Sequence, residues 1–209
     1  MTAKARVIAA NEYRRERWKN DAGWTREIVR CPDNADWQWR LSIAEIEQDS
    51  PFSSFDGIDR ELVLIHGNGL RLRMEAGEGG AEDEVHELHP PHGRMRFEGE
   101  RRVHGELLDG PTHDFNLMWR RDAIAAELLL RPLVGPMVFF TEPGTTWAVH
   151  LLAGQAKFDD ASGLPAMWMG DTALLSNGSR QRFIMEGGGE ILAIKLTSLS
   201  AESRSRDDD

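Results

Sequence analysis

At 209 residues, 40% hydrophobic and 29% charged, the chain has the composition of a folded globular protein and room for one large or two small domains. A formal net charge of -10 argues against a nucleic-acid partner, whose affinity comes from neutralised phosphates, and no run of ~18 apolar residues is present to span a bilayer. A single cysteine, Cys31, excludes an internal disulfide framework; with an N-terminus that lacks the apolar core of a secretion signal, it points to the cytoplasm.

The first basic cluster, Tyr13-Arg-Arg-Glu-Arg17, is short and flanked by acids, as are Arg94 to Arg96, Arg101-Arg102 and Arg120-Arg121. These read as solvated strand ends or turns. Trp24-Thr-Arg-Glu-Ile28 follows as a strand, with Thr25 and Glu27 on one face and Trp24, Arg26 and Ile28 on the other. Cys31 precedes a proline at the end of this strand and has no activating neighbour in sequence, so it reads as a bystander. In Trp37-Gln-Trp-Arg-Leu-Ser-Ile-Ala-Glu-Ile46, the row Arg40, Ser42, Ala44 opposes Trp39, Leu41, Ile43. Pro51-Phe-Ser-Ser-Phe55 reads as a loop whose rings either close a pocket or plug a core.

Leu62 to His66 and Leu70 to Met74 read as strands joined through His66-Gly-Asn-Gly-Leu70, an Asn-Gly hairpin signal. Residues Gly77 to Gly93 form a Gly-, Glu- and His-rich insertion, expected to be a mobile surface loop. After the Gly110-Pro111 turn, Thr112 to Arg120 alternates again: Asp114, Asn116 and Met118 point one way, Phe115, Leu117 and Trp119 the other. Ala123 to Arg131 is ambiguous between helix and buried strand. Pro136 to Phe140, Trp147 to Leu152, Ala173 to Leu175, Arg182 to Met185 and Ile191 to Leu196 are further short strands. From Ser198 the chain is polar and is expected to be a disordered tail.

This density of strands predicts an all-β sandwich or barrel in two halves. A strand, a Gly-turn, a second strand and a later Gly-acid turn occur in both halves, a loose internal repeat. The expected division is 1–121 for a barrel that carries the polar rows, 122–197 for a second barrel, and 198–209 for the tail. Three strands thus each place compact or bidentate polar groups at i and i+2. Such rows fit either the solvent face of an ordinary sheet or the lumen of a barrel; Ala44 and Met118 continue two of them as apolar positions, as a lumen requires.

Trp18-Lys-Asn20, Gly23-x-Thr25-x-Glu27, Trp39-Arg-Leu-Ser-Ile-Ala44, Pro51-Phe-Ser53-x-Phe55-x-Gly57-x-Asp59-Arg60 and Asp114-Phe-Asn-Leu-Met118 occur in this order. Together they resemble the HutD/Ves family up to about Arg121, and more loosely beyond. The resemblance implies a cupin-like double-stranded β-helix, with two barrels in one chain (a bicupin). It also implies a link to histidine utilisation in some members and to stress response in others, and a small carboxylate such as formylglutamate or urocanate as ligand. One departure stands out: Asp21-Ala22 occupies the place of the family's usual glycine pair, so that a site there would differ in shape or charge.

Arg40 and Arg60 are the candidate carboxylate anchors, because a guanidinium grips a carboxylate with two parallel donors. Arg40 requires a partner if it faces a lumen: Glu27, Asp114 or a ligand. Arg60 pairs either with Asp56 or Asp59 on the surface or with a ligand. Asn20, Thr25, Ser42, Ser53 and Asn116 would orient a polar ligand, Phe52 would close the pocket, and Glu27 and Asp114 would hold the arginines or accept ligand donors.

His86-x-x-His89-x-x-His92 lies in the insertion and no His-x-His is present, so neither a metal nor any other cofactor is expected. His150, in an apolar strand, reads as a satisfied core histidine. No nucleophile motif or nucleotide-binding loop is present, and a binding protein with a regulatory or accessory role is favoured over an enzyme. The alternatives are an isomerase or hydrolase that uses Glu27 and Asp114 as an acid-base pair in the same pocket, and a protein-interaction module that dimerises through the second barrel's strands.

Overall fold

The structure, a computed structural model, describes residues 5–76 and 83–199. It is all-β. The strands are β1 (Arg6–Ile8), β2 (Arg14–Arg17), β3 (Gly23–Cys31), β4 (Trp39–Ile46), β5 (Ser50–Pro51), β6 (Ile58–His66), β7 (Leu70–Met74), β8 (Glu84–Leu88), β9 (Arg94–Glu98), β10 (Val103–Leu107), β11 (Thr112–Arg120), β12 (Ile124–Thr141), β13 (Thr145–Phe158), β14 (Met167–Trp168), β15 (Thr172–Ser176) and β16 (Gln181–Ser198). The chain divides into two compact units, Arg14–Asp122 and the described residues of Met1–Tyr13 with Ala123–Asp209.

In the unit Arg14–Asp122, a six-stranded sheet (β2-β3-β4-β11-β6-β9) faces a four-stranded one (β5-β10-β7-β8). Ile46, Leu62, Leu64 and Phe97 from the first sheet pack with Leu70, Leu72, Met74, Leu88 and Val103 from the second. Each such buried side chain contributes roughly 1.5–3 kcal/mol. The alternation read from sequence holds: Leu41, Ile43, Phe115 and Leu117 are buried on the opposite face of the large sheet.

Two expectations for this unit are corrected. The His66-Gly-Asn-Gly-Leu70 turn is not a hairpin, because β6 and β7 belong to different sheets. Its glycines serve a corner: Gly67 has φ 99, and a Cβ there would stand 2.7 Å from the carbonyl oxygen of Pro111. The insertion is not a loop throughout. Glu84–Leu88 pairs with β7, Leu72 opposite His86, and buries Leu88. Its residues 77–82 lie outside the described residues.

The second unit is one sheet in the order β1-β15-β13-β16-β12, with β14 beside β13. The ambiguous segment Ala123 to Arg131 is strand from Ile124 on, part of the 18-residue β12. Its neighbour β16 runs through Gly187, Gly188 and Gly189, so segments expected as separate strands are continuous. Pro132 and Pro136 are tolerated because β12 is a sheet edge, where an absent N–H breaks no ladder. Gly154, Gly187 and Gly189 allow strands to approach so closely that a Cβ would meet the facing backbone. Val149, Leu151, Ile191 and Ala193 on one side of that glycine band share a core with Phe158, Met167 and Met185 on the other. The sheet therefore folds over on itself.

The expected domain boundary shifts at the N-terminus. β1 pairs with β15, Arg6 opposite Leu174 and Ile8 opposite Thr172, and so covers an edge that would otherwise present free backbone groups. The Tyr13 hydroxyl lies 2.7 Å from Thr172 Oγ1 and pins the segment there. Ser198, assigned to the tail, ends β16 and donates its N–H to Gly144; residues 200–209 lie outside the described residues.

Candidate functional site

Antiparallel register brings the polar rows together on one face of the six-stranded sheet. Residues directly opposite one another share a face, and three successive rungs result. The first is Arg30, Arg40, Met118, Arg60, Phe97; the second Glu27, Ser42, Asn116, Leu62, Met95; the third Thr25, Ala44, Asp114, Leu64. This face lines a cavity of about 540 Å³ within the unit Arg14–Asp122. Its mouth carries the exposed Glu16, Lys19, Asn20, Pro51 and Ser53, and its floor the buried Ser42, Arg60, Leu62, Asp114, Asn116 and Met118.

Nine of the ten expected site residues line this cavity: Asn20, Thr25, Arg40, Ser42, Phe52, Ser53, Arg60, Asp114 and Asn116. The tenth, Glu27, does not. A bulge follows it in β3, and it lines a neighbouring space of about 180 Å³ together with Arg14, Arg30, Trp37 and Arg40. From there it accepts a hydrogen bond of 2.7 Å from Arg40 Nε and pairs with Arg30 at 3.2 Å. Of the partners open to Arg40, Glu27 is the one found. The acid-base pair of Glu27 and Asp114 is not assembled in one pocket.

Arg60 is 6% exposed and makes no ion pair among the described residues. Asp59, its expected surface partner, binds Arg96 and Arg121 instead. The Arg60 guanidinium sits 5.2–5.7 Å from the ring centres of Phe52, Phe55 and Phe97. Its Nη1 donates to the Ser53 carbonyl at 3.2 Å, and its Nε has no partner among the described residues. Burial, with the like charge of Arg40, pulls its pKa down to about 10. Phe52 and Phe55 therefore form cavity wall, and Ser53 contributes a carbonyl where a hydroxyl donor was expected.

At the other end, Asp114 is fully buried, and its Oδ2 accepts a 3.0 Å bond from the Thr112 hydroxyl. Among the described residues its Oδ1 has no partner, and neither has Asn116 Oδ1. Desolvation raises the Asp114 pKa to about 7 against the pull of Thr112. Three buried polar groups on one cavity floor thus carry unmade hydrogen bonds, in a protein class that normally pairs such groups.

At the mouth, Asn20 Oδ1 accepts the Ala22 N–H, which leaves its amide N–H groups to the cavity. Thr25 accepts from Trp18 Nε1 at 2.9 Å. Asp21 holds φ 59, the left-handed region that glycine serves most easily, so one residue of the replaced pair keeps a glycine-like backbone. Its side chain is exposed beside Arg17 and lies outside the cavity lining.

Sequence reasoning missed Phe97 and Trp18 as site residues. Phe97 stands opposite Arg60, a relation carried by register alone. No three His, Cys, Asp or Glu side chains form a metal-ligand set among the described residues, and guanidinium, amide, hydroxyl and a single buried carboxylate do not fit a divalent cation. His150 is buried and meets Thr172 Oγ1 at 2.9 Å, as a core histidine does. No described helix is long and apolar enough to cross a membrane.

The family model for HutD matches residues 10–193. Protein Ves of Cronobacter sakazakii is 32% identical over 87% of this chain and 93% of its own length. An uncharacterized 21.2 kDa protein in the hutC 3' region of Pseudomonas putida is 33% identical over 60% of this chain and 64% of that protein. Among solved structures, HutD from Pseudomonas fluorescens, in a formate condition, superposes with a TM-score of 0.78 at 30% identity over 94% of this chain and all of that one. Oxalate decarboxylase of Lactobacillus farciminis, at 10% identity and a TM-score of 0.65 over the whole chain and 92% of that one, shares the cupin-like fold.

Proposed function

The chain belongs to the HutD family, and from that premise we propose that it binds a small carboxylate metabolite in the cavity of the unit Arg14–Asp122 and acts as a regulatory or accessory protein in the cytoplasm. One observation carries the proposal: a buried guanidinium, walled by three phenylalanine rings, with no carboxylate partner among the described residues. A buried cation in that state is costly, and an incoming carboxylate offsets the cost. Arg60 grips the anion directly. Arg40, already held by Glu27, adds field at the same rung. Asn20, Ser42 and Asn116 orient the rest of the ligand, and Phe52 and Phe55 exclude water. The names of the relatives, HutD and a protein of the hutC 3' region, support a place beside histidine utilisation and make formylglutamate and urocanate the first ligands to try. The likeness to an oxalate decarboxylase supports reading the two units as two cupin-like barrels, a bicupin.

Thermal shift and calorimetric titration with formylglutamate, urocanate and formate test the proposal. A ligand at a hundredfold excess over its dissociation constant stabilises the fold by about 2.7 kcal/mol. Arg60→Met abolishes that gain. No response to any of the three, or an undiminished response in Arg60→Met, sinks carboxylate binding at this site.

A further inference from the structure

Building on carboxylate binding at Arg60, we propose that the cavity is bipolar: its ligand carries a carboxylate at one end and a hydrogen-bond donor, a protonated amine or an N–H group, at the other, where Asp114 receives it. The register fixes the polarity. Both arginines lie on the first rung, on either side of Met118. Asp114 lies on the third rung, four residues along β11, so on the order of 13 Å separates the two rungs at the backbone. The side chains that reach in from both ends shorten the span to that of a small molecule.

The two ends ask for opposite chemistry. Arg60 is all donor. Asp114 Oδ1 and Asn116 Oδ1 are acceptors, each within a residue at least nine-tenths buried, and each without a hydrogen bond among the described residues. Thr112 donates to Asp114 Oδ2 and leaves Oδ1 open. No cationic side chain forms an ion pair with Asp114 among the described residues. Ala44 and Leu64, its rung neighbours, supply no donor. A plain dicarboxylate would satisfy Arg60 and set its second charge against Asp114. A carboxylate with a distal N–H satisfies both ends. The unpaired acceptors therefore discriminate among carboxylates, a task the arginines cannot perform.

Calorimetric titration of the full chain at pH 8 with three probes of equal carbon count tests this: caproate, adipate and ε-aminocaproate, repeated with butyrate, succinate and γ-aminobutyrate for a shorter span. In one of the two sets the amino acid binds at least ten times more tightly than the simple acid, and the diacid binds most weakly. In Asp114→Asn the amino acid's advantage falls to within twofold and the diacid recovers. A diacid that binds as well as or better than the amino acid in both sets overturns the proposal, as does an Asp114→Asn protein that keeps the preference. If that variant does not fold, the ranking in the unaltered protein decides alone. Failure of every probe and of formate removes carboxylate binding itself. Binding of the simple acids without amine preference removes only the bipolar assignment.

Discussion

Replacing Asp114 by Asn removes an ionisation that the fold disfavours, and the effect has a calculable pH dependence. An aspartate that ordinarily titrates at 3.8 is held up to about 7 by burial. Below the ordinary value the carboxyl is neutral in both folded and unfolded chains, and its burial costs nothing in charge. As pH rises, the unfolded chain ionises first, so stability is lost progressively until pH passes the folded value. A tenfold change in an equilibrium is ~1.4 kcal/mol, which makes the total loss on the order of 4 kcal/mol above pH 8, of which ~2–3 falls between pH 5 and 8. Asn keeps the shape, and its carbonyl oxygen still accepts the Thr112 hydroxyl. Urea unfolding of both proteins at pH 5, 6.5 and 8 reads the difference, since every other titrating group is common to the two. The variant gains over the parent by about 2–3 kcal/mol across that range. Parallel curves for the two proteins would mean that Asp114 ionises as an exposed aspartate does, and that the third rung is wet.

Arg60→Met removes a buried cation without an acidic partner; it raises the urea midpoint, by roughly 1–3 kcal/mol in stability, while the thermal shift with carboxylates disappears. Gly105→Ala places a Cβ 2.8 Å from the Phe52 ring and forces that ring, which packs over Arg60, to shift; calorimetry then shows a several-fold loss of affinity, at a cost of about 1–3 kcal/mol in stability. Gly189→Ala forces a side chain onto a residue at φ 139 whose Cβ would meet the Ala153 carbonyl oxygen, and it lowers stability by more than about 3 kcal/mol in thermal unfolding. Glu27→Gln removes the counter-charge of Arg40 and raises affinity for adipate several-fold in titration, roughly 1 kcal/mol for a charge ~10 Å away at an effective dielectric near 20–40.

The cavity floor was legible in sequence because strand alternation is a local property. Asp114, Asn116 and Met118 had to share a side whatever the sheet order, as did Arg40, Ser42 and Ala44. What closes the cavity was not local. Phe97 reaches Arg60 only through the pairing of β6 with β9, and nothing around Phe97 in sequence announces it. Glu27 shares its face with Thr25 as the alternation required, opposite Ser42, but the one-residue bulge after it brings Arg30 opposite Arg40, and the Glu27 carboxylate is taken up between those two arginines beside the main cavity. The Asn-Gly turn failed for a related reason: the dipeptide specifies a tight reversal, but whether the strands it joins then pair depends on sheets formed by distant segments. In the second unit, Gly187-Gly-Gly189 looked like a break between strands, whereas close strand approach uses the missing side chains inside a continuous ladder.

Arg40 and Arg60 carry the same fork on the same rung, and one carboxylate makes them different. Glu27 divides its two oxygens between Arg40 and Arg30, so the charge of Arg40 is largely answered before any ligand arrives. Arg60 has Met118 on one side of its rung and Phe97 on the other, residues that exclude water and offer no counter-charge. The same dry surroundings that make its charge costly also strengthen its attraction for an incoming anion, because little solvent remains to screen it. At the third rung Asp114 is held in the complementary condition, an acid without a base among the described residues. On the proposed reading, binding at either end relieves a cost set by folding, and affinity and the instability of the empty cavity share one origin. Substitutions that stabilise the empty protein at Arg60 or Asp114 then weaken binding by the same interactions they remove, whereas substitutions in the apolar core between the two sheets have no reason to couple the two.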